Sequence, residues 1–296
     1  MCAERPSGLH AFCKVNSFSI QIPTKSHIIL IFARCLVNLI NAVSTNYYPI
    51  LDKMPPISLE QMSSIRLMNR TDCKYLANEP QLEALLRMAR TEYMVQEIDG
   101  KRESEYTTTY LDDALNTMYI NHHNKRLTRQ KVRVRTYVDT GTSFFEVKLK
   151  NNHGRTKKKR IELTGPDTYV ADGAADFLAQ HAMLDIPLSD MTPKISNHFN
   201  RITLVNNNKT ERLTIDHDLS FRNLESGVDR NMDNLVVIEV KRDGNTYSPI
   251  LDILRELRIF PCGFSKYCIG MALTLPGIKR NLFNDRIRRI EKITSI

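Results

Sequence analysis

The chain has no tryptophan, no CxxC pair and no His/Cys spacing typical of a zinc site. Its six cysteines are therefore interpreted as free thiols of a protein that works in a reducing compartment. The missing tryptophan removes one of the side chains on which nucleic-acid bases stack. These absences disfavour a disulfide scaffold, a zinc module and a base-stacking surface.

A long apolar run is also missing. The most apolar segment, residues 27–43, is short for a membrane span and is interrupted by an arginine and two asparagines. A signal peptide is the alternative for this segment, although the arginine breaks its apolar region. We expect a cytoplasmic protein without stable membrane insertion, and membrane association through residues 27–43 stays open.

The domain boundary is expected near Met54, which two prolines and the first patterned strand follow. Residues 1–53 are predicted to be an extension that is disordered or takes no part in the fold. No repeat, low-complexity tract or Pro/Gly linker divides residues 54–296, so they are predicted to form one domain.

The charge balance is strongly basic, with 42 Lys and Arg against 33 Asp and Glu and a formal net charge of +9. Such a chain favours polyanionic partners, namely nucleic acid, nucleotide, polyphosphate or anionic lipid. Charge alone does not choose between these partners.

A basic hairpin is predicted for residues 129–150. Charged and apolar residues alternate in both arms, which is the period of a β-strand, and residues 139–142 supply the turn. The two arms pair antiparallel, so their charged residues share one side of the sheet. These residues are Lys131, Arg133, Arg135, Glu146, Lys148 and Lys150.

The same alternation recurs in six further segments, at residues 69–75, 107–113, 155–163, 201–204, 211–219 and 235–241. Helical spacing of apolar residues appears at 80–90, 172–183 and 248–259. We therefore predict an α+β fold: an eight-stranded antiparallel β-barrel, or tunnel, with a charged lumen and flanking helices. Burying so many cations unpaired is prohibitive, so the lumen must be wet or hold an anion.

The competing arrangement is an open sheet that presents its charges to solvent as a nucleic-acid-binding surface. Against it, the charged faces lack interleaved aromatic residues, and each basic row carries carboxylates that would repel phosphate unless a metal lies between them.

The residues resemble the VTC-type polyphosphate polymerase domain of the triphosphate tunnel metalloenzyme superfamily. The resemblance covers about residues 66–275. The matching motifs are RTDCKY at 70–75, TYLD at 109–112, KVRVRTY at 131–137, FEVK at 145–148, KKKR at 157–160, NR at 200–201, VIEVK at 237–241 and FSKY at 264–267. The resemblance implies a closed eight-stranded tunnel in which the γ-phosphate of ATP is transferred to a growing polyphosphate chain with Mn²⁺ or Mg²⁺.

The resemblance also implies roles for individual residues. The phosphate-binding positions are Lys74, Arg133, Arg135, Lys148, Lys158, Arg160, Arg201 and Lys266. The metal-binding glutamate is Glu239, and Glu146, Glu162 and Asp216 lie on the same predicted sheet face, either as further oxygen ligands or in ion pairs with neighbouring cations. One departure is Phe199, where some relatives carry an aromatic residue with a hydroxyl.

Two alternatives stay open. Other tunnel enzymes hydrolyse triphosphates, but their first strand carries alternating glutamates where this chain has Lys74, which favours the polymerase. The other alternative is a non-catalytic binder of polyphosphate or nucleic acid. The expected partners are ATP and polyphosphate or triphosphate, without nucleic acid.

Overall fold

The computed structural model describes residues 47–63, 65, 70–244 and 246–295. Its strands are β1 Pro56–Ser58, β2 Arg70–Ala77, β3 Tyr93–Glu97, β4 Ser104–Asp113, β5 Arg129–Tyr137, β6 Thr142–Lys150, β7 Thr156–Leu163, β8 Met191–Asn206, β9 Glu211–Asn223, β10 Asp229–Asn231 and β11 Val236–Asp243. The helices are α1 Tyr48–Leu51, α2 Leu59–Ser63, α3 Glu79–Ala89, α4 Thr117–His123, α5 Ala174–His181, α6 Pro249–Glu256, α7 Lys266–Thr274 and α8 Asn284–Thr294.

Eight of the strands form one continuous antiparallel path, in the order β2-β11-β9-β8-β4-β5-β6-β7. This confirms the predicted antiparallel architecture. Within the described residues no hydrogen-bonded ladder joins β2 to β7, so the path is open at that seam. The sheet nevertheless curls so that the two ends of the path approach each other. This is shown by Lys148 of β6, whose pKa is affected by Lys74 of β2 and Glu239 of β11.

The β5–β6 hairpin has the predicted turn, in which Gly141 takes a φ of 67°. A side chain rarely adopts this left-handed conformation, so glycine favours the turn. The pairing of β8 with β9 has a register shift between His198 and Asn200. A bulge of this kind locally increases the twist, which helps a sheet to curl.

Two large apolar cores pack on the outside of the sheet, and a third, small cluster consists of Ile57, Met62 and Val205. One large core lies beneath α3 and α6 and includes Leu82, Leu86 and Leu254 of the helices together with the outward residues Ile215 and Ile238. The other joins α4, α5, α7 and α8 to the outward faces of β4–β6, β8 and β9. Helix α3 begins with a capping box, in which Asn78 and Gln81 exchange hydrogen bonds of 2.9 and 3.1 Å.

The packed part of the chain begins earlier than Met54. Tyr47 and Leu51 are buried in the core beneath α3 and α6, and the guanidinium of Arg102 donates to the carbonyls of Leu51 and Met54. The boundary at Met54 is therefore too late by the residues of α1. Residues 1–46 lie outside the described residues, so the role predicted for that segment stays a prediction.

None of the helices in the described part of the chain combines the length and the hydropathy needed to cross a bilayer. The apolar segment 27–43 lies outside the described residues. Cys73, Cys262 and Cys268 carry free thiols.

Candidate active site

The inner face of the curled sheet carries the predicted basic residues. Alternation in β5 directs Arg133 and Arg135 inward, and the ladders set Arg133 opposite Glu146 and Lys74 opposite Glu239. Lys266 comes instead from the first turn of α7, whose N-cap is Ser265. Strands and a helix end thus contribute to one lumen.

Glu146 is the first of three lumen carboxylates that each bind two cations. Its oxygens accept from Arg133 Nε at 2.7 Å and from Lys158 Nζ at 2.8 Å, and its side chain is fully buried. Burial alone would raise the pKa of Glu146, but Arg133, Arg135 and Lys158 outweigh it and lower that pKa to about 2. Glu146 is therefore ionised.

Asp216 is the second lumen carboxylate that binds two cations. Arg201 donates to both of its oxygens, from Nε at 2.6 Å and from Nη2 at 2.9 Å, and Lys266 donates to Oδ2. Against its burial, the two cations hold the pKa of Asp216 well below its usual range. Burial outweighs the attraction of Asp216 and, together with Arg201, lowers the pKa of Lys266 to about 7.

Glu239 is the third. Lys74 Nζ lies 2.5 Å from Oε1, and Lys241 Nζ lies 2.7 Å from Oε2. Burial would raise the pKa of Glu239, yet the two lysines hold it well below its usual range. The lysine ammonium groups are compact charges on flexible stems, so each can turn to a phosphate oxygen.

Arg135 and Lys148 are among the inward cations that have no carboxylate partner within the described residues. Burial and Arg133 lower the pKa of Arg135 to about 10, with Arg201 adding to the effect. Burial, Arg133 and Lys131 lower the pKa of Lys148 to about 8. Both groups lie close to other cations and bind no carboxylate directly in the described part of the chain, so they favour a bound anion.

Aromatic rings also line the lumen, which corrects the prediction that none accompany the charges. Tyr106 stacks on Phe199 with centroids 5.2 Å apart, and the Arg201 guanidinium lies 5.1 Å from the Tyr106 centroid. Lys266 Nζ lies 3.6 Å from the Phe199 centroid, and Arg160 lies 4.1 Å from that of Phe144. These distances are those of cation–π contacts between the rings and the cations.

The predicted metal ligands lie in different surroundings. Glu239 and Glu146 are bound to cations as described, whereas Glu162 is exposed near the end of β7, opposite Phe144 in the ladder. Within the residues that the structure describes, no three Asp, Glu, His or Cys side chains come together as a metal-binding group. Metal binding by Glu239, Glu146 and Glu162 stays a prediction.

The sequence analysis placed Asp216 on the correct face without choosing between metal binding and an ion pair, and it assigned no role to Lys241 or Lys131. Asp216 binds Arg201 and Lys266, Lys241 binds Glu239, and Lys131 donates to Ser265 Oγ at 2.8 Å. The signal that could have identified Asp216, Lys241 and Lys131 was their position on the charged side of strands in which charged and apolar residues alternate. Tyr106 was missed because Ser104 and Thr108, the nearest residues on the same face of β4, are uncharged and do not mark that face as the inner one.

The sequence matches the family model of the VTC domain over residues 69–275, which is more than half of the chain. The chain belongs to the VTC domain family. Comparison with curated proteins found no match.

Solved structures similar to this VTC-domain protein include a Hippeastrum protein described as having a dominant triphosphatase activity. It shares 14% identity and a TM-score of 0.42, over 71% of this chain and 98% of that chain. The Pct1 RNA triphosphatase of S. pombe has 11% identity and a TM-score of 0.27, over 95% and 98% of the two chains. The PH1012 protein of Pyrococcus horikoshii has 14% identity and a TM-score of 0.33, over 64% and 92%. The family assignment rests on the sequence match.

Proposed function

We propose that this VTC-domain protein is a phosphotransferase that moves the γ-phosphate of ATP onto the end of a polyphosphate chain inside the tunnel, with a divalent metal. The observation that carries the proposal is the ionic state of the lumen. Each of the carboxylates Glu146, Asp216 and Glu239 is bound to two cations, and the pKa of each is lowered.

Such carboxylates are weak bases, because a group with a low pKa accepts a proton poorly near neutral pH. Hydrolysis requires a water molecule to lose a proton as it attacks. Transfer to polyphosphate does not, since the terminal phosphate oxygen of the acceptor is already anionic. This oxygen forms a bond to the γ-phosphorus, the bond from that phosphorus to the β–γ bridging oxygen breaks, and ADP leaves.

The cations of the lumen position the phosphate groups of ATP and of the acceptor chain. Phosphoryl transfer depends on alignment and charge neutralisation more than on covalent help from the protein. Arg133 and Arg201 present planar forks that match phosphate oxygens, while Lys74 and Lys158 act as movable charges. An incoming phosphate replaces the carboxylate as the acceptor of these donors, so two polyanions can lie end to end.

A divalent metal fits this lumen when phosphate oxygens complete its coordination. Magnesium is commonly held by one or two carboxylates together with substrate phosphates. Glu239 would hold the metal, because its two partners are lysines that can move to phosphate. When bound, the metal neutralises charge on the transferred phosphoryl group. We propose that this metal is Mn²⁺ or Mg²⁺.

Incubation of the purified protein with ATP and either Mn²⁺ or Mg²⁺ tests the proposal. The expected products are ADP and a polyphosphate ladder on a gel, with little free phosphate. Free phosphate as the main product would establish a hydrolase, and neither product would leave a polyanion-binding protein.

A hydrolase is the second candidate because of Lys266. With a pKa near 7, this lysine is partly neutral at physiological pH and can accept a proton from water. The product analysis separates the two candidates directly.

A further inference from the structure

Four aromatic rings, those of Tyr106, Tyr137, Phe144 and Phe199, gather where the lumen approaches the β5–β6 turn and form the lumen ring cluster. Tyr106 of β4 pairs with Tyr137 of β5 and with Phe199 of β8 in the ladders, so these three share one side of the sheet. The Tyr137 centroid lies 5.0 Å from that of Tyr106 and 5.8 Å from that of Phe144. The alternation that directs Arg135 inward also directs Tyr137 inward.

Tyr137 differs from the other rings of the cluster in its polar contacts. A cation lies over each of the other three rings. Within the described residues no guanidinium or ammonium group lies over Tyr137, and its hydroxyl donates to no protein acceptor. The residue is partly exposed, and Phe144 meets its ring at 82°, an edge-to-face arrangement that fixes the ring plane. A ligand can therefore contact the Tyr137 ring without displacing a cation.

The order of the inward side chains along β5 puts this ring next to the phosphate-binding cations. The last two inward residues of the strand are Arg135 and Tyr137. Two residues of a strand span about 7 Å, which leaves room for a sugar between a phosphate on Arg135 and a flat base on Tyr137. Beyond the ring the chain turns through Val138 and Asp139, and Asp139 neutralises Lys101 at 2.6 Å. This end of the lumen thus suits an uncharged aromatic group better than another phosphate.

We propose that Tyr137 binds the nucleobase of ATP by stacking, with Phe144 and Tyr106 fixing the orientation of its ring. ATP then lies with its base near the β5–β6 turn and its γ-phosphate towards Arg133 and Lys158. Stacking on an aromatic side chain tolerates different bases, because every base has a π-face, and the larger purine ring stacks more strongly than a pyrimidine. This inference rests on the proposed function, and it adds a position for the base and a direction for ATP along the tunnel.

The test compares variants of Tyr137 that keep or remove the ring. Tyr137→Leu keeps apolar bulk and removes the π-face, whereas Tyr137→Phe keeps the face and removes the hydroxyl. Tyr247→Leu is the matched control, since Tyr247 is 75% exposed outside the cluster and its hydroxyl donates to Asp252 at 3.2 Å. Calorimetric titration measures the affinity of each purified protein for ATP, CTP and tripolyphosphate. EDTA is present in every titration, so that no metal-dependent turnover takes place.

For Tyr137→Leu we expect the affinity for ATP to fall at least about fivefold, the usual loss when the aromatic platform of one base is removed. The affinity for tripolyphosphate, which has no base, should change less than about twofold, and Tyr137→Phe and the control should bind ATP within about twofold of wild type. Wild type should bind ATP at least about threefold more tightly than CTP, and Tyr137→Leu should reduce this preference. The comparison of ATP with CTP needs no substitution, so it decides the matter even where a variant does not fold.

An equal loss for ATP and tripolyphosphate would show that the ring acts on the cations or on the fold, and it would overturn the inference. No loss for ATP, an equal loss in Tyr137→Phe or in the control, or equal affinities of wild type for ATP and CTP would overturn it as well. Failure of the proposed function is a separate outcome, in which wild-type protein forms no polyphosphate from ATP with Mn²⁺ or Mg²⁺ and yet still prefers ATP to CTP.

Discussion

Replacement of Glu146 by glutamine tests whether the lumen carboxylates stand in for phosphate. The substitution keeps the size of the side chain and removes the charge that Arg133 and Lys158 share. Lys158 is 41% exposed and can turn to water, but Arg133 is only 14% exposed. The cost of the substitution therefore falls mainly on the buried guanidinium.

Removing one partner of a buried ion pair costs about 3–5 kcal/mol. For a domain of this size 1 kcal/mol shifts the melting temperature by about 2–4 °C, so Glu146→Gln should lower it by roughly 6–20 °C. Tripolyphosphate should restore more stability to the variant than it gives to wild type, because its oxygens supply the missing acceptors. Differential scanning fluorimetry with and without the ligand measures both effects.

Asp229→Asn is the matched control, since Asp229 binds Arg222 in an exposed pair whose loss should cost less than about 1 kcal/mol. The reasoning would be refuted if Glu146→Gln left the melting temperature unchanged. It would also be refuted if tripolyphosphate raised the melting temperature of the variant and of wild type by the same amount.

The effect has a defined pH dependence. The pKa of Glu146 is lowered from 4.5 to about 2, so its contribution is complete above pH 4.5 and is lost as the pH falls towards 2. The difference in melting temperature between wild type and variant should therefore narrow on acidification.

Three further predictions follow from other parts of the molecule. Glu239→Gln should abolish metal-dependent turnover while the protein still binds tripolyphosphate, and full activity at saturating metal would contradict it. Binding of tripolyphosphate at pH 8 should be accompanied by proton uptake, because the bound phosphate raises the lowered pKa of Lys266 towards its usual value. Calorimetric titration with tripolyphosphate in buffers of different ionisation enthalpy measures this uptake. The variant Lys266→Met should take up fewer protons. Leu51→Ala should cost about 2–5 kcal/mol in chemical denaturation, whereas Leu115→Ala, at a residue 81% exposed, should cost little.

The architecture was predictable because a period of two assigns every strand a charged and an apolar side. Strands β5 and β6 carry this signal in full, and their pairing follows from the turn at Gly141. The signal fails where both sides of a strand are uncharged or buried. Strand β3 has buried Tyr93 and Val95, but its edge pairing with β1 depends on residues distant in sequence.

The ion pairs were not predictable, although their members were. The alternation in β9 predicts that Asp216 points inward. Its ion pair with Arg201 depends on the register of β8 against β9, which the bulge at His198 shifts. The second partner, Lys266, comes from a helix fifty residues later. No periodicity within one strand can specify a contact that tertiary packing creates.

The number of lumen carboxylates is a compromise between folding and binding. A tunnel lined by cations alone would unfold through self-repulsion, and one with a carboxylate for each cation would repel phosphate. Three carboxylates that each bridge two cations limit the repulsion while leaving net positive charge. Because the same donors can turn to phosphate, the arrangement that stabilises the empty lumen would also prepare it for a polyanion.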